Sequence, residues 1–172
     1  WLLWPIFAFA AVLIVFYGFT AIANLIASPF NALLAEKVEV YLTGQQPSDT
    51  TPLLQSIVPS ILSELRKLFY FLLRVIPLLI LSFIPGLNVI APVLWALFNA
   101  WFLALEYGDF PMGNNGILFR DQHEKLKSHR LTSMAFGGGV TLLMMIPLLN
   151  LLAMPAAVAG ATAMWSKRLK AE

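Results

Sequence analysis

The placement of charge constrains this chain more than any other feature. Residues 1–35 carry no charged side chain, and the first to appear is Glu36. A second uncharged run covers residues 75–105, between Arg74 and Glu106, and a third covers 131–166, between Arg130 and Lys167. The eleven Lys/Arg and nine Asp/Glu fall entirely within 36–74, 106–130 and 167–172. An ion in hydrocarbon is costly, so uncharged runs of this length read as membrane-embedded. Composition agrees: the chain is 59% hydrophobic and 12% charged, against about 25% charged in soluble domains. That excludes an ordinary soluble enzyme, a disordered tail and a nucleic-acid-binding arm. A net charge of +2 is too mild to bind a polyanion. Without cysteine there is no disulfide framework, thiol nucleophile or Cys-based metal site.

The three runs differ in kind. Trp1 to Ala27 would make a helix of about 40 Å, enough to cross a ~30 Å hydrocarbon core with tilt. Trp1, Trp4 and Tyr17 are candidate interfacial aromatics. Ser28-Pro29 predicts a kink before the helix continues to Glu36. The second run is broken by Ile84-Pro85-Gly86-Leu87-Asn88 and the third by Ile146-Pro147-Leu148-Leu149-Asn150. Each splits into limbs of roughly 10–17 residues, short of or barely matching the hydrocarbon. Neither break has a charge or a polar loop that would sit in water. The pattern therefore predicts two helical hairpins that dip into the bilayer and return to the same side. Backbone at such tips is tolerated only against protein or a wet cavity. The breaks also align with each other at an offset of 62 residues, each followed by a proline, Pro92 or Pro155. An internal duplication accounts for this, with chance as the competing reading.

The expected fold is an all-α integral membrane protein in one domain: a long spanning helix (1–35), a cytoplasmic or interfacial amphipathic segment (36–67), hairpin one (68–105), a polar connector (106–130) and hairpin two (131–166). If both hairpins return, all Lys/Arg share one face, which the positive-inside rule makes cytoplasmic. Within 36–74, Thr51-Pro52 reads as a helix start, and Leu54, Ile57, Val58, Ile61, Leu62, Leu65, Leu68 and Phe69 form an apolar stripe, with a bend at Pro59. Gly113-Asn114-Asn115-Gly116 is a turn signal, and the mixed charges from Arg120 to Arg130 suggest a solvated connector with local ion pairs. Gly137-Gly138-Gly139 lacks the setting of a phosphate loop and suits close helix approach. The small residues from Ala156 to Ala163 suit helix packing, and Asn24, Asn31 and Asn99 suit interhelical hydrogen bonds.

Catalytic constellations are absent from the sequence. His123 and His129 are six apart, about 240° around a helix, so they share no ligand face. Anion recognition is better supported. A helix that starts after each break would leave N–H groups without intrahelical partners at a positive dipole end. Gly86, Leu87 and Asn88 at the first tip and Leu149, Asn150 and Leu151 at the second are the candidate contacts for a small oxyanion. Asn88 and Asn150 are also candidate N-caps of their own helices. Arg74, about 18 Å along a helix from the first tip, either snorkels to the interface or lines an anion route. Glu106 is a structural or gating partner, pairing with Arg74 or another base. No cofactor, metal or nucleic acid is expected; the expected partners are the bilayer and further copies of the chain.

Four stretches together resemble one family. They are Ala27-Ser28-Pro29-Phe30-Asn31 through Glu39; the Ile84–Asn88 break with Ala91-Pro92-Val93-Leu94-Trp95; Tyr107-x-Asp109-x-Pro111 with Asn114; and Met145–Asn150 through Met154-Pro155 to Trp165. In this order they resemble the bacterial CysZ sulfate transporter family over nearly the whole chain. The resemblance implies a multi-pass inner-membrane sulfate permease serving cysteine synthesis, homo-oligomeric and without an ATPase subunit. Members normally carry an additional N-terminal part with another long helix and a Gly-Leu-Arg sulfate-binding motif. These 172 residues contain neither and open without Met inside an apolar run, so a piece of a longer chain is expected. The rival reading is a membrane-shaping or scaffold protein, since half-inserted hairpins also wedge one leaflet.

Overall fold

A computed structural model of the chain describes residues 1, 3–48 and 53–170, with the side chains of 20, 21, 24, 25 and 53–57 outside the description. The expected helix start at Thr51-Pro52, the bonding of Asn24 and the first part of the amphipathic stripe therefore lie outside the described residues. Every regular element described is helical. Helix α1, Leu3–Thr43, continues through Pro29 and past Glu36. It closes at Gly44, whose φ of 70° only glycine adopts freely and whose N–H bonds to the Val40 carbonyl at 2.8 Å. Helix α2, Leu53–Phe83, joins the amphipathic segment and the first hairpin limb in one element, with Pro59 and Pro77 inside it. Its apolar stripe points away from the bundle: Ile61, Leu62, Leu65, Leu68 and Phe69 are exposed, while Ser63 is buried.

The two breaks fold differently. At the first, Gly86 takes a φ of 87° and a short 3-10 turn, Leu87–Val89, precedes helix α3, Ala91–Asn114. At the second only Ile146 leaves helical geometry, and helix α6, Pro147–Met164, begins at once with proline in its first turn. Leu148 stands where the first break has Gly86, and a left-handed backbone there would be strained for leucine. The similar sequences are thus a seven-residue turn in one hairpin and a one-residue turn in the other.

The limbs are longer than the uncharged runs implied. Helix α3 runs on through Glu106 and Asp109 to Asn114, and α6 passes into a π-helical turn, Trp165–Leu169. Together α6 and that turn are 23 residues, long and apolar enough to cross a membrane. Much of the expected polar connector is likewise helical. After a turn at 115–118, in which Gly116 has φ 71°, come helix α4, Phe119–Ser128, and helix α5, Arg130–Met145. Far from being only solvated, this region supplies the core: Leu105, Met112, Phe119 and Leu126 pack with Met164, Trp165 and Leu169. A second cluster joins Ala35, Tyr107, Val140, Ala157, Val158 and Ala161. Charged residues look outward from α4 while Gln122 and Leu126 look inward, so high charge and a buried face coexist on one helix.

Side-chain contacts fix the registers. Ser82 with Trp95 and Phe71 with Phe98 and Phe102 make α2 and α3 an antiparallel hairpin. Asn99 with Thr141 and Ala100 with Gly137 make α3 and α5 antiparallel, so both hairpin tips lie at one end of the bundle. Asn31 with Met154 and Glu39 with Trp165 set α1 parallel to α6. Pro147, seven residues before Met154, is then level with about residue 24 of α1. The part of α1 before that level extends about 30 Å past the tips. Leu3, Trp4, Phe7, Ile14 and Phe19 are all exposed there, on every face of the helix.

The tight spot is Gly137. A Cβ there would lie 1.7 Å from the Ala100 carbonyl oxygen, whereas Gly138 and Gly139 have open space. Backbone cannot retreat as a flexible side chain can. Gly137→Ala is expected to destabilise the fold by at least about 1–3 kcal/mol, read as a lower melting temperature in detergent. Gly138→Ala and Gly139→Ala are expected to be neutral or slightly stabilising, since a helical glycine costs about 0.5–1 kcal/mol relative to alanine.

Candidate functional site

The tip residues occupy the end of the bundle away from the charged groups, and all six are exposed. Among the described residues no hydrogen bond links Gly86, Leu87 or Asn88 to Leu149, Asn150 or Leu151. The N-cap roles expected of Asn88 and Asn150 are not what the backbone adopts. The caps are Ile90 and Ile146, and neither makes a side-chain cap bond. Asn88 lies inside the 3-10 turn, and Asn150 is already in the helix, its N–H bonded to the Ile146 carbonyl at 2.8 Å. The proline at 147 started the helix three residues earlier than the asparagine suggested. At the first tip the N–H groups of Asn88, Ile90, Val93 and Leu94 are already bonded to chain carbonyls. At the second, Leu148 and Leu149 precede the first i→i−4 bond, the position where helix geometry leaves donors open.

Arg74 sits away from both tips. Its guanidinium lies 3.5 Å from the centre of the Tyr70 ring, and its Nη1 donates to the Tyr70 carbonyl at 3.2 Å. The Tyr70 hydroxyl in turn accepts from Trp101 Nε1 at 2.8 Å and pairs with His123 Nε2 at 3.1 Å. Arg74, α3 and α4 are thereby joined through one phenol. Burial, with help from Arg74 and Lys127, holds the His123 imidazole below its ordinary pKa.

One turn before Tyr70 on α2, Lys67 meets three carboxylates: Asp109 at 2.8 Å, Glu106 at 3.4 Å and Glu64 at 3.4 Å. Glu106 thus ties the hairpin limbs through Lys67 and not through Arg74. Arg74 lies two helical turns further toward the tip and is held by Tyr70. Burial alone would lower the Lys67 pKa, but Asp109 and Glu106 outweigh it and hold the ammonium above the usual lysine range. Asp109 also accepts from Gln122 Nε2 at 2.6 Å, which brings α4 into the same network. Burial raises the Glu64 carboxyl above its ordinary range despite the pull of Lys67.

Sequence reasoning missed the most buried charge. Glu39 has 0% relative exposure. Its carboxylate accepts from Lys170 Nζ at 2.8 Å, Asn115 Nδ2 at 2.9 Å and Trp165 Nε1 at 3.2 Å. Asn115 also accepts from the Ser48 hydroxyl at 3.1 Å. The available signal was spacing: Asn31, Ala35 and Glu39 lie four apart, and all three turn toward the bundle. Of the other asparagines, Asn99 bonds across to Thr141 at 3.0 Å and Asn31 to Met154 Sδ at 3.3 Å, as interhelical contacts. Among the described residues no group of His, Asp and Glu could hold a metal ion.

Two measurements probe this network. Lys67→Met strands three acids, and the expected loss is about 2–3 kcal/mol, less than the 3–5 of a fully buried pair because Glu64 and Glu106 reach water. For His123 the folded chain favours neutral imidazole, while the unfolded chain takes up a proton near its ordinary pKa of about 6.5. Its contribution is full above that value and declines as pH falls below it. His123→Phe should flatten the slope of melting temperature against pH between about 6.5 and 5.

The profile of the family described as sulfate transporter CysZ/etoposide-induced protein 2.4 matches residues 1–155. Among curated proteins, the sulfate transporter CysZ of Pseudomonas fluorescens (strain Pf0-1) is 46% identical over 175 aligned residues, covering 100% of this chain and 70% of that protein. On both counts the chain belongs to the CysZ/etoposide-induced protein 2.4 family of membrane transporters.

Proposed function

We propose that this chain is a sulfate transporter, a multi-pass homo-oligomer of the bacterial inner membrane that imports sulfate for cysteine synthesis without a cofactor, an ATPase subunit or enzymatic activity. Family membership supports the substrate. The observation that carries the mechanism is the shared depth of the two tips, part-way along α1. From the level of Glu36, where charge begins, to that of Pro147 is about twelve residues, or roughly 18 Å of a ~30 Å core. Tips at that level support re-entrant hairpins. Their irregular backbone then needs protein or water beside it, and a water-filled anion route provides that.

A divalent oxyanion leaving water needs donors more than countercharge. Helix starts inside the membrane offer N–H groups at the positive dipole end. The second tip is the stronger anion contact in this scheme, with the Leu148 and Leu149 donors beside Asn150 and Leu151. Gly86, Leu87 and Asn88 form the opposing wall. Arg74, resting on Tyr70, is the cation an anion meets on the polar side of the tips, and Glu106 holds the limbs through Lys67.

The test is uptake of radiolabelled sulfate into proteoliposomes holding pure, oriented protein. Sulfate-dependent flux is expected, with Arg74→Gln lowering it roughly tenfold, equivalent to about 1.4 kcal/mol. No flux above empty vesicles would favour the scaffold reading. The chain has no native cysteine, so Gly86→Cys and Leu148→Cys report depth cleanly. Free reaction of both with an impermeant thiol reagent from the compartment opposite Lys167 would sink the re-entrant scheme.

A further inference from the structure

We propose that the groove between the start of α5 and the end of α6 seats one anionic phospholipid, with an acyl chain along its walls and the phosphate held by Lys167 and Arg168. The groove has a volume of about 540 Å³ and is lined by Leu131, Ala135, Phe136, Met164, Lys167 and Arg168 among others. Its walls are mostly hydrocarbon, with Thr132 the one uncharged polar side chain among them, and Lys167 and Arg168 border it. That pairing of an apolar trough with basic residues at its border matches a phospholipid in shape and charge.

Three observations support this occupant. First, the groove lies at the level of α1 where charge begins. Trp165 is level with Glu39 of α1, three residues past the first charge on that helix. Second, no residue lining the groove is acidic. Residues 131–170 contain no Asp or Glu, and Lys167 and Arg168 are exposed on the rim. The first turn of α5, including Leu131, opens onto the same groove and adds its positive helix end. Third, the two cations sit in the π-helical turn, closed by the Lys170 N–H to the Trp165 carbonyl at 2.9 Å. Such turns are rare and occur mostly where a helix re-aims side chains for a purpose. Here one widened turn tucks Trp165 and Leu169 into the core and leaves the consecutive Lys167 and Arg168 outside. A free inorganic anion has no use for the hydrocarbon walls, and a second copy presenting the same face would bring like charges together.

This inference rests on the membrane reading but not on sulfate transport, so a chain that carried no sulfate would still be expected to retain the lipid. Pure protein in neutral detergent is mixed with phosphatidylglycerol or phosphatidylcholine of the same acyl chains, and retained lipid is counted by native mass spectrometry. Phosphatidylglycerol should be retained at about one per chain and phosphatidylcholine much less. The double variant Lys167→Gln/Arg168→Gln should lower phosphatidylglycerol retention roughly tenfold. Arg120→Gln/Lys127→Gln, which removes two exposed cations from α4, should not. Leu131→Gln, a change on the exposed wall, should weaken retention of phosphatidylglycerol while Lys167 and Arg168 remain. Equal retention of the two lipids overturns the proposal. So does wild-type retention by the Lys167/Arg168 variant, or displacement of the lipid by millimolar sulfate. Melting temperatures in lipid-free detergent verify that each variant is folded.

Discussion

A carboxylate taken wholly out of water must be surrounded by donors, and the arrangement around Glu39 meets that demand by drawing distant parts of the chain together. Lys170 and Trp165 come from the far end, Asn115 from the turn after α3, and Glu39 itself from α1. Unpaired, such a charge would cost far more than any single apolar contact returns. The parallel register of α1 against α6 depends on this knot. The Asn31–Met154 contact, from which the level of the second tip is counted, lies on the same pair of helices.

The rest of the bundle is built on two different adhesives. Near the charged end, polar groups reach across helices: Lys67 to Asp109, Gln122 to Asp109, and Tyr70 between Trp101 and His123. Further toward the tips the cross-helix side-chain bonds among the described residues are fewer: Asn99 with Thr141, Trp95 with Ser82 and Asn31 with Met154. Close approach of backbones takes over, with Gly137 against Ala100 and the small residues of α6 against α1 and α3. Lipid tails solvate leucine as well as a protein core does, so small residues that let helices touch are what association in a bilayer selects. The exposed leucines at the second tip, Leu148 and Leu151, fit that solvent.

Charge placement made the class and the number of apolar runs legible, because an ion in hydrocarbon is costly, and the prolines made the positions of both breaks legible. Local chemistry was legible where one residue decides: Gly116 in the turn and, within the glycine row, Gly137 against a neighbouring helix. The caps were misread because Pro147 and Asn150 both signal a helix start, and the proline, whose ring presets φ, acts first. The 106–130 region read as solvent-facing because its charges are conspicuous, while the buried face of α4 rests on only Phe119, Gln122 and Leu126. The four-residue spacing of Asn31, Ala35 and Glu39 was the one linear trace of the Glu39 knot, whose partner Lys170 is 131 residues away. Pairings at that separation are set by the assembled fold.

Pro29 acquires a mechanical meaning from its location. It lies two residues before Asn31, which among the described side chains of α1 is the first bonded to another helix. Its ring deletes a ladder bond about five residues inside the packed part of α1, counted from the level of the tips. Compliance is therefore concentrated at one joint. Bilayers differ in thickness by a few ångströms, and a spanning helix meets such changes by leaning. Here the lean is taken up beyond the joint, so stretching or thinning of the surrounding lipid is spent on the overhang and leaves the spacing of the hairpins undisturbed.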